Sequence, residues 1–272
     1  MFGKAFFYIK LFLSAQGVGG KIETLLGIIR SVFSYLFYGF GSFHVRNPVV
    51  IKISDIFYKV PVFDASIASV NIESNSNKIV SEIVSILNQT DKEYFIDIGA
   101  NLGSVSLFVA KKFKGKKVIA VEPVHWLADS LRESSKLNNL KNYEVVNNAI
   151  SHSKHVELSI PVINGVYFTT VASSVPNKKF KKFHKLKVRG TTLSGLLKAL
   201  RIKPDDIALI KVDVEGLEED VLLSGVKELK KAKPPVIFEA WNSEKLGRIT
   251  EILSKLGYRK YRKIEEDDYV AT

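Results

Sequence analysis

Tyr94-Phe95-Ile96-Asp97-Ile98-Gly99-Ala100-Asn101-Leu102-Gly103 is the stretch that decides the fold. It opens as an apolar, β-prone run with one acid near the tip, and the glycines that follow mark a tight turn. From about Gly103 to Phe113 the pattern becomes helix-forming. Strand, glycine turn and helix in that order open an α/β sheet, in which ligands bind beyond the carboxyl ends of the strands. Working outward, Lys117 to Val121 reads as a strand with a helix to about Asn138, and Tyr143 to Val146 as a third strand. The alternation breaks over residues 151 to 190, where Val156 to Ile160, Tyr167 to Val171 and Leu186 to Val188 read as short β runs of an inserted hairpin or flap. It then resumes, with helices over Leu193 to Leu200, Leu217 to Leu229 and Ser243 to Leu256. The strands between them are Ile207 to Val212 and Pro235 to Phe238, and Tyr258 to Thr272 reads as a closing hairpin. Such alternation predicts a parallel sheet covered by helices.

The turn also limits what it can hold. A dinucleotide fingerprint spaces three glycines G-x-G-x-x-G to seat a pyrophosphate on a helix N-terminus. Here the run is Asp97-x-Gly99-x-Asn101-x-Gly103, which points away from NAD. A methyl-donor cofactor carries no phosphate but does carry an ammonium and a carboxylate, and Asp97 at the strand tip is placed to pair with the ammonium. Glu122, 23 residues after Gly99 at the end of the next strand, can accept both ribose hydroxyls. Asn148 and Ala149, after the third strand, would border the adenine. The competing reading is a plain tight turn beside a surface acid. The α/β frame and the spacing of Glu122 together favour cofactor binding.

Phe95 to Asn101 and Val121-Glu122-Pro123 are joined by a longer string, Ile210-Lys211-Val212-Asp213-Val214-Glu215-Gly216-Leu217-Glu218, followed by Val221-Leu222 and Gly225. On these residues, from about Phe95 to Trp241, the chain resembles the FkbM-type methyltransferases. The resemblance implies S-adenosylmethionine as cofactor and a Rossmann-like class I methyltransferase fold, with a mostly parallel seven-stranded sheet and helices on both faces. It also implies transfer of methyl to an oxygen. Ser134, His152 and Ser194 depart from the family pattern, and the N-terminal 90 residues lie outside the likeness.

Methyl transfer from a sulfonium is an in-line displacement, so the protein chiefly aligns the reactants, which can be worth about 7 to 11 kcal/mol. A hydroxyl acceptor also needs a base or a metal to remove its proton. Asp213, at the end of the fourth strand, is the first candidate. Glu215 is either a second base or a cap on the next helix. Glu239 ends the neighbouring strand, and with Asp213 and Asn242 it can offer an all-oxygen site to magnesium, by analogy with other O-methyltransferases. Otherwise Glu239 pairs with a lysine or contacts the acceptor directly. His125 and His152 follow strand ends and are either bases or ordinary loop histidines.

The 272 residues hold 40 Lys and Arg against 28 Asp and Glu, a formal charge of +12, and no cysteine. The lack of cysteine excludes disulfides, thiolate metal sites and cysteine nucleophiles, and fits a cytoplasmic chain. The charge favours anionic partners. Lys178, Lys179, Lys181, Lys182, Lys185, Lys187 and Arg189 crowd the flap with Phe180 and Phe183 among them. That cluster can grip an anionic acceptor, form a groove for single-stranded RNA, or simply be solvated.

The length suits one sizeable domain with an appendage: residues 1–90 as a helical extension with short strands, residues 91–272 as the catalytic domain, and 150–190 as its flap. Within the extension, residues 49 to 70 read as short strands and Asn77 to Leu87 as a helix. Leu25, Leu26, Ile29, Val32, Phe33, Leu36 and Phe37 recur at helical spacing, which predicts an amphipathic helix. Arg30 near its middle and the shortness of the apolar run argue against a spanning segment. The helix then either caps the domain or docks, peripherally, on a membrane or partner. The expected activity is O-methylation of a hydroxyl on a glycan, glycolipid or other small hydroxylated acceptor. The alternatives are RNA ribose methylation and a non-catalytic cofactor-binding or membrane-associated scaffold.

Overall fold

The computed structural model describes residues 9, 11–38, 44–53, 55–65, 78–174 and 180–272, and over 32–38 the backbone alone. The side chains of Val32, Phe33, Leu36 and Phe37, the lysines Lys178 and Lys179, and the last part of the strand region expected at 49–70 lie outside the described residues.

Helix α1 (Gly17–Tyr38) precedes a hairpin of β1 (Val49–Ile53) and β2 (Ile56–Val60), then α2 (Lys78–Asn88). The central unit runs β3 (Tyr94–Ile98), α3 (Ser106–Lys112), β4 (Lys117–Val121), α4 (His125–Leu137) and β5 (Tyr143–Val146). The insertion supplies β6 (Ala149–Ile150), β7 (His155–Ile163), β8 (Val166–Tyr167) and β9 (Phe183–Thr191). The chain ends with α5 (Leu193–Ala199), β10 (Ile207–Val212), α6 (Glu218–Leu223), α7 (Val226–Ala232), β11 (Val236–Glu239), α8 (Ser243–Lys255), β12 (Tyr261–Glu265) and β13 (Asp268–Ala271).

The main sheet has seven strands in the order β12-β13-β11-β10-β3-β4-β5. Strands β5, β4, β3, β10 and β11 are parallel, and β13 runs antiparallel to both of its neighbours. The chain builds outward from β3 through β4 to β5, then returns to lay β10 on the other side of β3. Strand order therefore reverses between β3 and β10, where an open α/β sheet forms its ligand crevice. Alternation along the strands sorts the side chains into two cores. Phe95, Val118 and Ile237 pack with Ile83, Leu107 and Leu127 from α2, α3 and α4. Ile96, Ile119, Ile210 and Phe238 pack with Leu196, Leu222, Leu229 and Ile249 from α5 to α8. Each such side chain, fully buried, contributes about 1.5–3 kcal/mol, so the central strands are held from both faces.

The helix predicted over Leu217 to Leu229 is two helices, broken at Ser224 and Gly225. Ser224 Oγ accepts the N–H of Leu193 at 2.9 Å, and a Cβ at Gly225 would stand 2.6 Å from Leu193 Cδ2. The break is thus where the start of α5 docks. The β run predicted over Tyr167 to Val171 becomes the end of β8 followed by a 3₁₀ turn, Thr169–Val171. The flap is a small sheet of order β6-β9-β7-β8.

The residues before β3 pack into the same body. The backbone of β2 is held by side chains of α4 and its C-cap: Asn138 Oδ1 accepts the N–H of Phe57 at 2.9 Å, and Ser134 Oγ accepts that of Lys59 at 2.8 Å. Buried Asp64 accepts from Trp126 Nε1 at 2.7 Å and Thr169 Oγ1 at 2.8 Å, which ties extension, α4 and flap together. Helix α1 is amphipathic, as its spacing predicts, but Leu25, Leu26 and Ile29 are exposed, while Glu23, Thr24 and Ser31 are buried. Among the described residues no helix is long and apolar enough to cross a membrane.

Candidate active site

The carboxyl ends of β3, β4, β10 and β11 open into one cavity of about 300 Å³ at the point of strand reversal. Asp97, Gly99, Asn101, Glu122, Asn148 and Ala149 all line it. Gly99 has φ +85°, and a Cβ there would lie 1.8 Å from the carbonyl oxygen of Asp213. Only glycine lets the tips of β3 and β10 meet so closely. Gly103, expected with them, does not line the cavity. It has φ +81°, and a Cβ there would stand 2.6 Å from Leu131 Cδ2, so its smallness serves the packing of α3 on α4.

Glu122 is buried and braces the turn. Its Oε2 accepts the N–H of Asn101 at 2.8 Å and its Oε1 that of Val124 at 2.9 Å. Burial pushes its pKa up to about 7 despite those two bonds. A carboxylate offers roughly four acceptor sites, so capacity remains for two hydroxyls. Asp97 is 1% exposed, its Oδ1 accepts no hydrogen bond, and Lys211 Nζ lies 3.5 Å away. Burial raises its pKa, with the charge of Lys211 opposing. Asn101 Oδ1 is likewise buried without a partner. Buried oxygens that accept no hydrogen bond beside a cavity are costly unless a ligand supplies donors, and an ammonium does so. The residues present therefore fit the methyl donor.

Across the cavity, Asp213, Glu215 and Glu239 each place a carboxylate oxygen within 4.8 Å of the other two. Glu215 (φ 49°) and Gly216 (φ 106°) form a left-handed turn between β10 and α6. Burial, then the charges of Asp213 and Glu218, push Glu215 up to about 7. Burial, then Asp213 and Glu215, push Glu239 up to about 8. Lys245 lowers both and is itself held in a buried pair, its Nζ 2.8 Å from Glu218 Oε2 and 3.0 Å from the ring centre of Trp241. Asn242, grouped with Asp213 and Glu239 from the sequence, does not line the cavity. Its Oδ1 caps α8 by accepting the N–H of Lys245 at 2.8 Å, and Glu215 takes its place in the oxygen cluster. By donor chemistry three carboxylates suit a hard cation such as magnesium, and Glu239 Oε2 is buried without a hydrogen bond.

Neither histidine joins the cavity. His125 starts α4, packs edge-on against Trp126, and lines a neighbouring cleft with Arg132, Lys187 and Arg189. His152 is exposed and bonded through Nδ1 to Asp220 at 2.6 Å. The flap lines the cavity with Leu158, Thr169, Thr170 and Ala172, and none of its described lysines does so. Lys185 instead reaches Ser159 Oγ at 2.9 Å and Glu157 at 3.0 Å. Lys211 and Ile79 line the cavity as well. Lys211 was legible as a charge inside an otherwise apolar strand; Ile79 of α2, which lines the cavity, gave no signal.

A family model described as methyltransferase FkbM domain matches residues 97–260. Among curated proteins, methyltransferase sdnD of Sordaria araneosa is 28% identical over 188 residues, covering 57% of this chain and 69% of that protein. Among solved structures, a methyltransferase FkbM from Methylobacillus flagellatus KT is similar at 19% identity and a TM-score of 0.43, over 66% of this chain and 43% of that one. A precorrin-6y C5,15-methyltransferase from Geobacter metallireducens GS-15 is similar at 15% identity and a TM-score of 0.42, over 71% of this chain and 85% of that one. The family match spans more than half of the 272 residues and contains Asp97, Glu122, Asp213, Glu215 and Glu239. The chain therefore belongs to the FkbM methyltransferase domain family and is an S-adenosylmethionine-dependent methyltransferase.

Proposed function

We propose that the protein O-methylates a hydroxyl of a glycan, glycolipid or other small hydroxylated acceptor, and that Asp213, Glu215 and Glu239 serve that hydroxyl. The observation that carries this reading is the meeting of three carboxylates in the cavity that also holds Asp97 and Glu122. The strand order, with β13 alone reversed, supports a Rossmann-like class I methyltransferase fold. Asp97 and Asn101 would take the ammonium of S-adenosylmethionine, Glu122 the ribose, and Asn148 with Ala149 the adenine. When bound, the cofactor supplies an activated methyl group.

The chain's own task is then to align the hydroxyl, exclude water and take a proton. Glu239, pushed up to about 8, is a stronger base than an ordinary carboxylate once it is ionised. Burial, then repulsion from Asp213 and Glu215, holds its pKa up, and Lys245 limits the rise. Magnesium held by the same three carboxylates is the alternative way to lower the acceptor's pKa. The absence of cysteine supports a cytoplasmic location.

RNA ribose methylation is the second reading, favoured by Arg132, Lys187 and Arg189 in a cleft that shares Pro123 and Asn148 with the main cavity. The two separate in an assay with isotopically labelled methyl donor over lysate fractions divided into lipid, glycan, RNA and protein. The proposal expects label in glycan or lipid; label in RNA alone rejects it. A chelator in the same assay assigns the carboxylates: activity lost and restored by magnesium makes them ligands, and full activity leaves Glu239 as the base.

A further inference from the structure

We propose that helix α1 docks the protein on an anionic membrane surface, lying in its plane with the apolar face outward from the protein. Val18, Ile22, Leu25, Leu26 and Ile29 are 77%, 55%, 47%, 41% and 42% exposed. At 100° per residue they fall in one stripe about 100° wide, which is the apolar face of an amphipathic helix. Ile9 and Leu13, just before it, are 58% and 66% exposed. An apolar stripe turned to water is the reverse of how a capping helix normally packs, and large exposed apolar patches mark interaction sites.

The orientation is fixed by the opposite face. Glu23 is 5% exposed and accepts from Arg30 Nη1 at 2.8 Å, the backbone N–H of Arg46 at 2.7 Å and Asn47 Nδ2 at 3.0 Å. These bonds hold the Glu23 carboxyl low, at a pKa of about 2, against the cost of its burial. Turning the stripe inward would break all three of these bonds. The helix is thus locked with its apolar side out.

Charge selects the occupant. Glu23 is the sole acid in the first 54 residues, and it is spent on the inside. Lys21, at the edge of the stripe, and Arg46 are exposed. Apolar side chains flanked by cations, on a helix with no exposed acid among its described residues, match an anionic lipid surface, where insertion and headgroup attraction add. A second copy of the chain would instead bring like charges together.

The test is flotation of the full chain with phosphatidylcholine vesicles, with and without about 30% phosphatidylglycerol. The protein should float with the anionic vesicles and be released by salt. Leu25→Glu combined with Ile29→Glu should cut that partition at least about tenfold and leave the thermal melt unchanged, because both side chains are already in water. As the chain has no cysteine, a polarity-sensitive dye at Leu25→Cys gives an independent reading: it should shift to the blue on vesicles, and the same dye at Glu251→Cys should not. No flotation with anionic vesicles, or equal flotation of the double variant, overturns the proposal. So does a dye shift that follows protein concentration without lipid, which would assign the stripe to self-association.

Discussion

The ammonium of Lys211, at the buried end of β10, donates to Asp213 Oδ2 at 2.9 Å. The same nitrogen lies 3.5 Å from Asp97 Oδ1, so one cation stands between Asp97 and the cluster of Asp213, Glu215 and Glu239. Lys211 is 6% exposed, and its pKa is raised by Asp213 and Asp97 against the effect of burial. Lys211→Met should therefore leave Asp97 as an uncompensated buried charge and cost about 3 kcal/mol in urea unfolding. Unchanged stability would mean that Asp97 is carried protonated.

Burial and mutual repulsion raise Glu215 to about 7 and Glu239 to about 8, from 4.5 in an unfolded chain. Between pH 4.5 and 8 the folded protein thus holds more protons than the unfolded one, and stability falls as pH rises through that window. Glu122, at about 7, and Asp268, at about 6, act in the same direction. Melting temperatures taken along the pH scale should decline and then level off above pH 8, and Glu239→Gln should flatten the upper part. A flat profile in the parent protein would contradict the clustered charges.

Activity should run the opposite way. If Glu239 takes the hydroxyl proton, kcat/KM rises with pH on a limb near 8, where the carboxylate becomes ionised. Glu239→Gln should lower kcat about a hundredfold or more and remove that limb. A variant that keeps the limb assigns the proton elsewhere.

Gly99→Ala places a methyl group 1.8 Å from the carbonyl oxygen of Asp213 at a φ of +85°. The junction of β3 and β10 must part, and the expected cost is at least about 2 kcal/mol. Gly115, where a Cβ meets nothing within 4 Å, is the control: Gly115→Ala should be near neutral by the same melt.

The strands were legible where apolar runs end in turn residues: β3, β4, β5 and β10 have the bounds their sequence predicts. The lining of the cavity was legible too, because Asp97, Gly99 and Glu122 sit at strand tips, and topology carries strand tips to one place. What lay hidden depends on tertiary partners. Asn242 has the chemistry of a ligand, but the free amides of α8 claim it as a cap. The helix break at Ser224 is set by Leu193, which is distant in sequence. The outward face of α1 follows from Glu23 meeting Arg46 and Asn47 across a loop, which no periodicity in the helix records.

S-adenosylmethionine should bind where Glu122 braces the glycine turn, and calorimetry measures that binding. The parent protein should bind S-adenosylmethionine and not NAD. Glu122→Ala, which leaves the N–H groups of Asn101 and Val124 unpaired and removes the ribose acceptor, should weaken binding at least about tenfold. Binding of NAD without binding of the methyl donor, or equal affinity in the Glu122→Ala variant, would mean that the glycine turn and Glu122 do not hold S-adenosylmethionine.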